Sequence, residues 1–168
     1  MERLRNSCTN IRNLAIIDLL ASSGIRISEL VNLNKDDINF ENKSCLVFGK
    51  GKKMREVYFD GKAKLHIEEY LNSRNDNNKA LFVSRNKPYD RLQSRGIELI
   101  LQKLGKELGE EKVHPHKFRR TLATKAIDKG MPIEQVQHLL GHTKIDTTLR
   151  YAFVNQNNVK ISHRKYIC

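Results

Sequence analysis

The stretch NIRNLAIIDLLASSGIRISEL, residues 10–30, decides the architecture. Residues 10–23 predict a helix that is nearly all apolar in its second half, hence buried. Gly24 is the stop signal, suited to a left-handed cap position. A second short helix is predicted over residues 27–33, which leaves Arg26 in the joint between the two.

Outward from this pair the pattern changes. After a polar turn at 34–37, short runs at 38–40, 44–48 and 55–59 are rich in Val, Ile, Phe and Tyr and are separated by turn residues. Gly49-Lys50-Gly51-Lys52-Lys53 reads as a hairpin turn, and the runs together predict a small antiparallel sheet of about three strands. Helical pattern returns at 61–74, followed by a polar loop at 75–79. The apolar stretch 80–84 is either a further strand or a buried extended segment. Apolar spacing predicts a helix over 91–108. Another is predicted over 115–129, with Pro115 in its first turn and Gly130 at its end. Pro132 opens a helix running through Leu140 to Gly141. Asp146 is a candidate N-cap for a last short helix carrying Thr147 to Tyr151. Residues 1–9 carry no folding signal of their own, and the tail 155–168 is polar and basic with weak pattern. The expected fold class is mainly α with one small antiparallel β-sheet (α+β), as a single domain.

At 168 residues the chain can bury a real core without metals or disulfides. Its charge is unusual: 31 Lys and Arg face 19 acidic residues, a net +12. Such a field favours polyanions, so nucleic acid or an anionic membrane surface leads the partner classes. No run approaches the ~20 apolar residues of a membrane span, and no signal segment is evident. The basic residues are spread along the chain rather than gathered on one amphipathic helix, which counts against membrane-surface binding. A cytoplasmic protein is expected. Cys8, Cys45 and Cys168 show neither a CxxC nor a Cys-His spacing, so no disulfide framework, metal site or cofactor is indicated.

Unusual residue types concentrate in the last third. Val113-His114-Pro115-His116-Lys117-Phe118-Arg119-Arg120 begins a helix, on which residues three apart share a face, so His116 and Arg119 can converge. Leu139-Leu140-Gly141-His142 puts another histidine just past a helix end, and Thr147-Thr148-Leu149-Arg150-Tyr151 supplies a tyrosine. Taken singly, each piece has an ordinary explanation: a surface pair, a helix terminator, a half-buried packing tyrosine.

Their order is what distinguishes them. Gly24-Ile25-Arg26-Ile27-Ser28-Glu29-Leu30, the Gly49-Lys50-Gly51 turn, His116-x-x-Arg119, Leu140-Gly141-His142 and then Tyr151 resemble the tyrosine recombinase (phage integrase) family over about residues 10–155. Within it the pattern looks most like integrases of conjugative transposons and related mobile elements. The resemblance implies the DNA breaking-rejoining catalytic fold and an enzyme that cleaves and rejoins DNA through a 3′-phosphotyrosyl intermediate, integrating or excising a mobile element. Arg26 and Arg119 would grip the scissile phosphate, His116 and His142 would hydrogen-bond its oxygens, and Tyr151 would be the nucleophile. Lys50 would be the general acid for the leaving 5′ oxygen, with Lys52 and Lys53 as rivals more suited to phosphate contact. Glu29 matches an acidic residue that helps hold the site together. Arg120, Lys117 and Phe118 depart from commoner family residues beside this set.

Two fixed guanidiniums match phosphate geometry and stay charged, so no metal is required, and the Tyr151-phosphate ester keeps the bond energy, so no ATP is required. His116 is a candidate acceptor for the tyrosine proton, and which group takes it is left open. Further DNA contacts are expected at Lys52, Lys53, Arg55, Arg85, Lys87, Arg91, Arg95, Lys117, Arg120 and Lys144. The resemblance also implies an N-terminal core-binding domain that this chain lacks, so that 1–168 is the C-terminal part of a longer recombinase. It implies partners in duplex recombination sites, four-way junctions and further protomers, normally four. The tail 155–168 is either an inter-protomer docking segment or a frayed terminus. Two competing functions remain: relaxation of the type IB topoisomerase kind, and a non-catalytic DNA-binding module with helix-turn-helix-like segments at 133–151.

Overall fold

The computed structural model describes residues 2–49, 54–110, 112–142, 145–149, 163, 164 and 167. Helix α1 (Glu2–Asn6) precedes α2 (Ile11–Ser23), the predicted buried helix, whose start is capped by Asn10 accepting from the Asn13 amide. Its Ala15, Ile16, Ile17, Leu19 and Leu20 are wholly buried, which explains why the sequence leaves it no polar stripe. Gly24 ends it at φ 59°, its amide closing on Leu20 O. Helix α3 (Ile27–Asn32) follows, then a 3₁₀ turn at Lys35–Asp37.

Strands β1 (Ile38–Asn39), β2 (Ser44–Phe48) and β3 (Met54–Tyr58) form an antiparallel sheet in that order. Cys45 pairs with Val57 and Val47 with Arg55, and this face packs on the core. Leu46, Phe48, Met54 and Tyr58 point the other way and are exposed, as the two-residue period of a strand requires. Helix α4 (Gly61–Asn72), capped by Asp60, packs along α2. Residues 80–83 are buried and joined to the rest by single bridges, Asn34 with Ala80 and Val83 with Arg91, with bends at 81 and 82 between them, so the ambiguous apolar stretch is a buried segment and not a strand.

Helix α5 (Ser94–Glu107) leads to α6 (Pro115–Asp128), α7 (Ile133–Leu140) and α8 (Asp146–Leu149). Asp146 is thus the first residue of α8 rather than its cap. The main core runs from Leu4 through α2, the sheet, α4 and α5 to Phe118. A smaller cluster of Ala123, Val136 and Leu140 lies between α6 and α7. The expectation for residues 1–9 is corrected: α1 forms, burying Leu4 to 2% exposure and setting Arg5 against Asp18. A single buried leucine on five residues is enough once a partner groove exists, although it leaves no periodicity to read.

Candidate active site

The C-terminus of α7 organises the site. The last carbonyls of a helix have no partner within it and carry the negative end of its dipole. Gly141 takes φ 62°, allowing the chain to turn back so that the Gly141 amide donates to His138 O and the His142 amide to Gln137 O. This paired closure satisfies two carbonyls. The next three each receive a guanidinium from a different part of the chain. Arg55 on β3 donates to Leu139 O at 3.1 Å, Arg119 on α6 to Leu140 O at 2.8 Å, and Arg26 to Gly141 O at 2.5 Å. Two cations expected to share a pocket, Arg26 and Arg119, therefore meet on consecutive carbonyls.

Each arginine is held from behind as well. Arg119, 6% exposed, also donates to Gly24 O, so the stop glycine of α2 supplies both a turn and an acceptor. A Cβ on Gly24 would lie 2.7 Å from Leu122 and 3.0 Å from Leu140, which is how closely α6 and α7 approach it. Glu29, its side chain only 2% exposed, binds Arg26 at 2.9 Å and Arg55 at 2.8 Å while accepting from the Arg26 amide. A buried carboxylate between two cations needs both of them to offset its lost hydration. Arg26 is the most open of the three, with a third of its side chain exposed. Among the described residues two of its N–H groups are committed, against the five a guanidinium offers.

His142 follows Gly141. Its Nε2 lies 3.3 Å from Arg119 Nη2 and its Nδ1 lies 2.8 Å from Thr148 Oγ1. A guanidinium can only donate, so Nε2 accepts and the proton of the neutral ring is on Nδ1, donated to Thr148. Burial first, then Arg119 and Arg26, push the His142 pKa down to about 4, so the ring is neutral at pH 7. His116 is one turn before Arg119 on α6, its ring parallel to that of His114 with centroids 6.4 Å apart. Burial and then Arg119 lower its pKa also.

A cleft of about 850 Å³ opens over this junction, lined by Arg26, Glu29, Arg55, Gly141 and His142 and by Phe48 and Met54 of the hairpin. Lys50 and Tyr151, the expected general acid and nucleophile, lie outside the described residues, as do Lys52, Lys53 and Lys144. Arg85, Lys87, Arg95, Lys117 and Arg120 are exposed, where a phosphate can reach them. Arg55 and Arg91 differ from the expected solvent-facing contacts. Arg55 is engaged as above, and Arg91 donates to Val31 O and Leu33 O behind α3 and to Asn34. Thr148, wholly buried, was not singled out in the sequence, where nothing distinguishes it from Thr147. Groups of His, Cys, Asp or Glu that could hold a metal ion are absent among the described residues. No helix among them is long and apolar enough to cross a membrane.

Residues 1–158 match the Phage integrase family. A protein named tyrosine recombinase XerC from Leptospira interrogans is 39% identical over 162 residues, spanning 94% of this chain and 51% of that protein. The XerC of Staphylococcus aureus is 36% identical over 156 residues, 90% of this chain and 52% of that one. The chain spans about half the length of the curated relatives it matches. Among solved structures, XerA recombinase superposes with a TM-score of 0.82 at 31% identity over 99% of this chain and 62% of that chain. The Tn1549 transposon integrase, solved with a circular intermediate DNA, shares the fold at a TM-score of 0.79 and 19% identity, covering 98% and 61% respectively.

Proposed function

Because this chain belongs to the phage integrase family, we propose that the cleft over α7 takes one phosphate of duplex DNA and serves to break and rejoin the strand through Tyr151. The observation that carries this is the convergence of Arg26 and Arg119 on the carbonyls of Gly141 and Leu140, with His142 beside them. Guanidiniums fixed in advance by the backbone stabilise charge on non-bridging phosphate oxygens without reorganising during reaction.

In this scheme the Tyr151 phenol oxygen bonds to phosphorus as the bond to the 5′ oxygen breaks. The phenol proton passes to a base, for which His116 is the candidate because its lowered pKa keeps it neutral. Lys50 gives a proton to the 5′ oxygen. The 3′-phosphotyrosyl ester conserves the bond energy, so a returning 5′ hydroxyl reseals the strand without ATP. Attack by the same end relaxes DNA, and attack by a partner's end recombines it. A phosphate beside His142 Nε2 adds negative charge that favours proton uptake by the ring, against burial first and then Arg119 and Arg26. Strand exchange between two duplexes would call on further protomers, for which the tail 155–168 is the candidate docking segment. The naming of the relatives as recombinases favours exchange over relaxation.

The test is a nicked duplex whose cleavage product cannot be resealed, followed for an adduct that survives SDS. Wild type is expected to accumulate DNA linked through its 3′ phosphate, Tyr151→Phe none, and EDTA is expected to leave the yield intact. An adduct of equal yield from Tyr151→Phe overturns the scheme.

A further inference from the structure

We propose that Arg55 is a positioning residue, which acts on the reaction through Glu29, Arg26 and the turn before His142 and not by touching DNA. This rests on the function proposed above. The strand period places Arg55 on the face of β3 that carries Val57, and its side chain is only 16% exposed. One terminal nitrogen donates to Glu29 at 2.8 Å and the other to Leu139 O at 3.1 Å. Glu29 in turn holds both the guanidinium and the amide of Arg26. Arg55 thereby joins three elements: β3; the α2–α3 joint that presents Arg26; and the end of α7 that presents His142.

The turn itself is built around this side chain. A Cβ on Gly141 would run into Arg55 Nε and lie 2.8 Å from its Cδ, so a side chain at residue 141 would displace the guanidinium. Only a planar fork spans a carboxylate and a carbonyl at once. A lysine keeps the charge and supplies a single point donor. Arg55 also contributes to the positive field that holds His142 neutral.

The experiment compares wild type, Arg55→Lys and Arg55→Gln, each with Glu29 intact and with Glu29→Gln. Single-turnover cleavage of the nicked duplex is measured beside DNA affinity over a salt series. The expected result for Arg55→Lys is a fall in cleavage of about 100-fold, with affinity and salt slope unchanged. In the Glu29→Gln background the same substitution should add little, since residues acting through one network are not additive. Affinity loss with a salt slope lower by about one would mean a direct phosphate contact and overturn the proposal. So would wild-type cleavage by Arg55→Lys, full additivity with Glu29→Gln, or both variants melting below the assay temperature. The His142 ring nitrogens, followed by NMR, should shift in Arg55→Lys whether or not DNA is cut. A wild type that forms no adduct thus defeats the functional scheme alone, while an unmoved His142 signal defeats this one.

Discussion

Two buried carboxylates in this protein each hold two basic side chains, with different consequences. Asp18, 3% exposed, lies against Arg5 of α1 and His66 of α4, both at 2.5 Å. Glu29 lies against Arg26 and Arg55. Burial is alike. The difference is in what the basic side chains do with their other side. Around Asp18 they fasten two helices to α2. Around Glu29 both reach on to carbonyls at the end of α7, Gly141 O and Leu139 O, and line a cleft. A buried ion cluster is therefore no sign of function by itself, and the direction of the remaining donors is.

The sharpest way to break this comparison is to remove each acid. Asp18→Ala leaves Arg5 and His66 facing a hole, and should cost about 3–5 kcal/mol of stability, as breaking a buried pair from one side does. Its cleavage rate per folded molecule should stay near wild type. Glu29→Gln keeps the shape and should lower the melting temperature less, yet cut cleavage about 100-fold because Arg26 loses its fixed angle. Thermal melts and adduct formation on the same preparations check both. Equal loss of cleavage in the two variants would erase the distinction.

A smaller effect is expected from backbone substitutions. Gly24 and Gly141 both hold positive φ and both end a helix. Alanine in that conformation costs about 1–2 kcal/mol at either place. At Gly24 the new methyl meets Leu122 and Leu140, so the further loss should fall on stability. At Gly141 it meets Arg55, so the further loss should fall on cleavage.

These two glycines were legible in the sequence because each follows an apolar helix and precedes a residue the pattern needed. The helices, the three-strand sheet and the meeting of Arg26 with Arg119 were legible for the same reason: periodicity, stop signals and a family order of motifs. Arg55 was expected only among the DNA contacts, although a signal of its inward position was present. It alternates with Val57 and Phe59, both buried, and so belonged to the inner face. Arg12, Arg55, Arg74 and Arg91 all donate to backbone carbonyls, so part of the positive charge holds the chain together. Long-range carbonyl acceptors have no sequence signature, and neither does the helix formed around Leu4.

Acid should separate the clusters more gently. The unfolded chain protonates His142 near the ordinary 6.5, while the folded chain resists until about 4. The unfolded state thus binds more protons between those values. Stability is full above about pH 6.5 and declines as pH falls toward 4. The loss between pH 7 and 5 should be on the order of 1 kcal/mol at a partly open site. His116, also lowered, adds in the same direction. His142→Asn should flatten this acid limb in melts across pH, and a limb unchanged in that variant would place its origin elsewhere. Bound DNA should shrink the limb from its low-pH end, because a phosphate that lets the folded ring take its proton raises the folded pKa toward 6.5.

The smallest effect sets the floor for all of these. Arg95 and Glu98 pair at 3.5 Å one turn apart on α5, with 69% and 37% of their side chains exposed. Water already solvates both groups, so their union gains little over separation. Glu98→Ala should change stability by less than about 0.5 kcal/mol. Arg95 was expected among the DNA contacts, and freeing it from Glu98 should slightly strengthen binding at low salt and do nothing at high salt. Were Glu98→Ala to cost as much as Asp18→Ala, burial would not be what gives the two inner clusters their weight, and their contrast would have to rest on position in the chain alone.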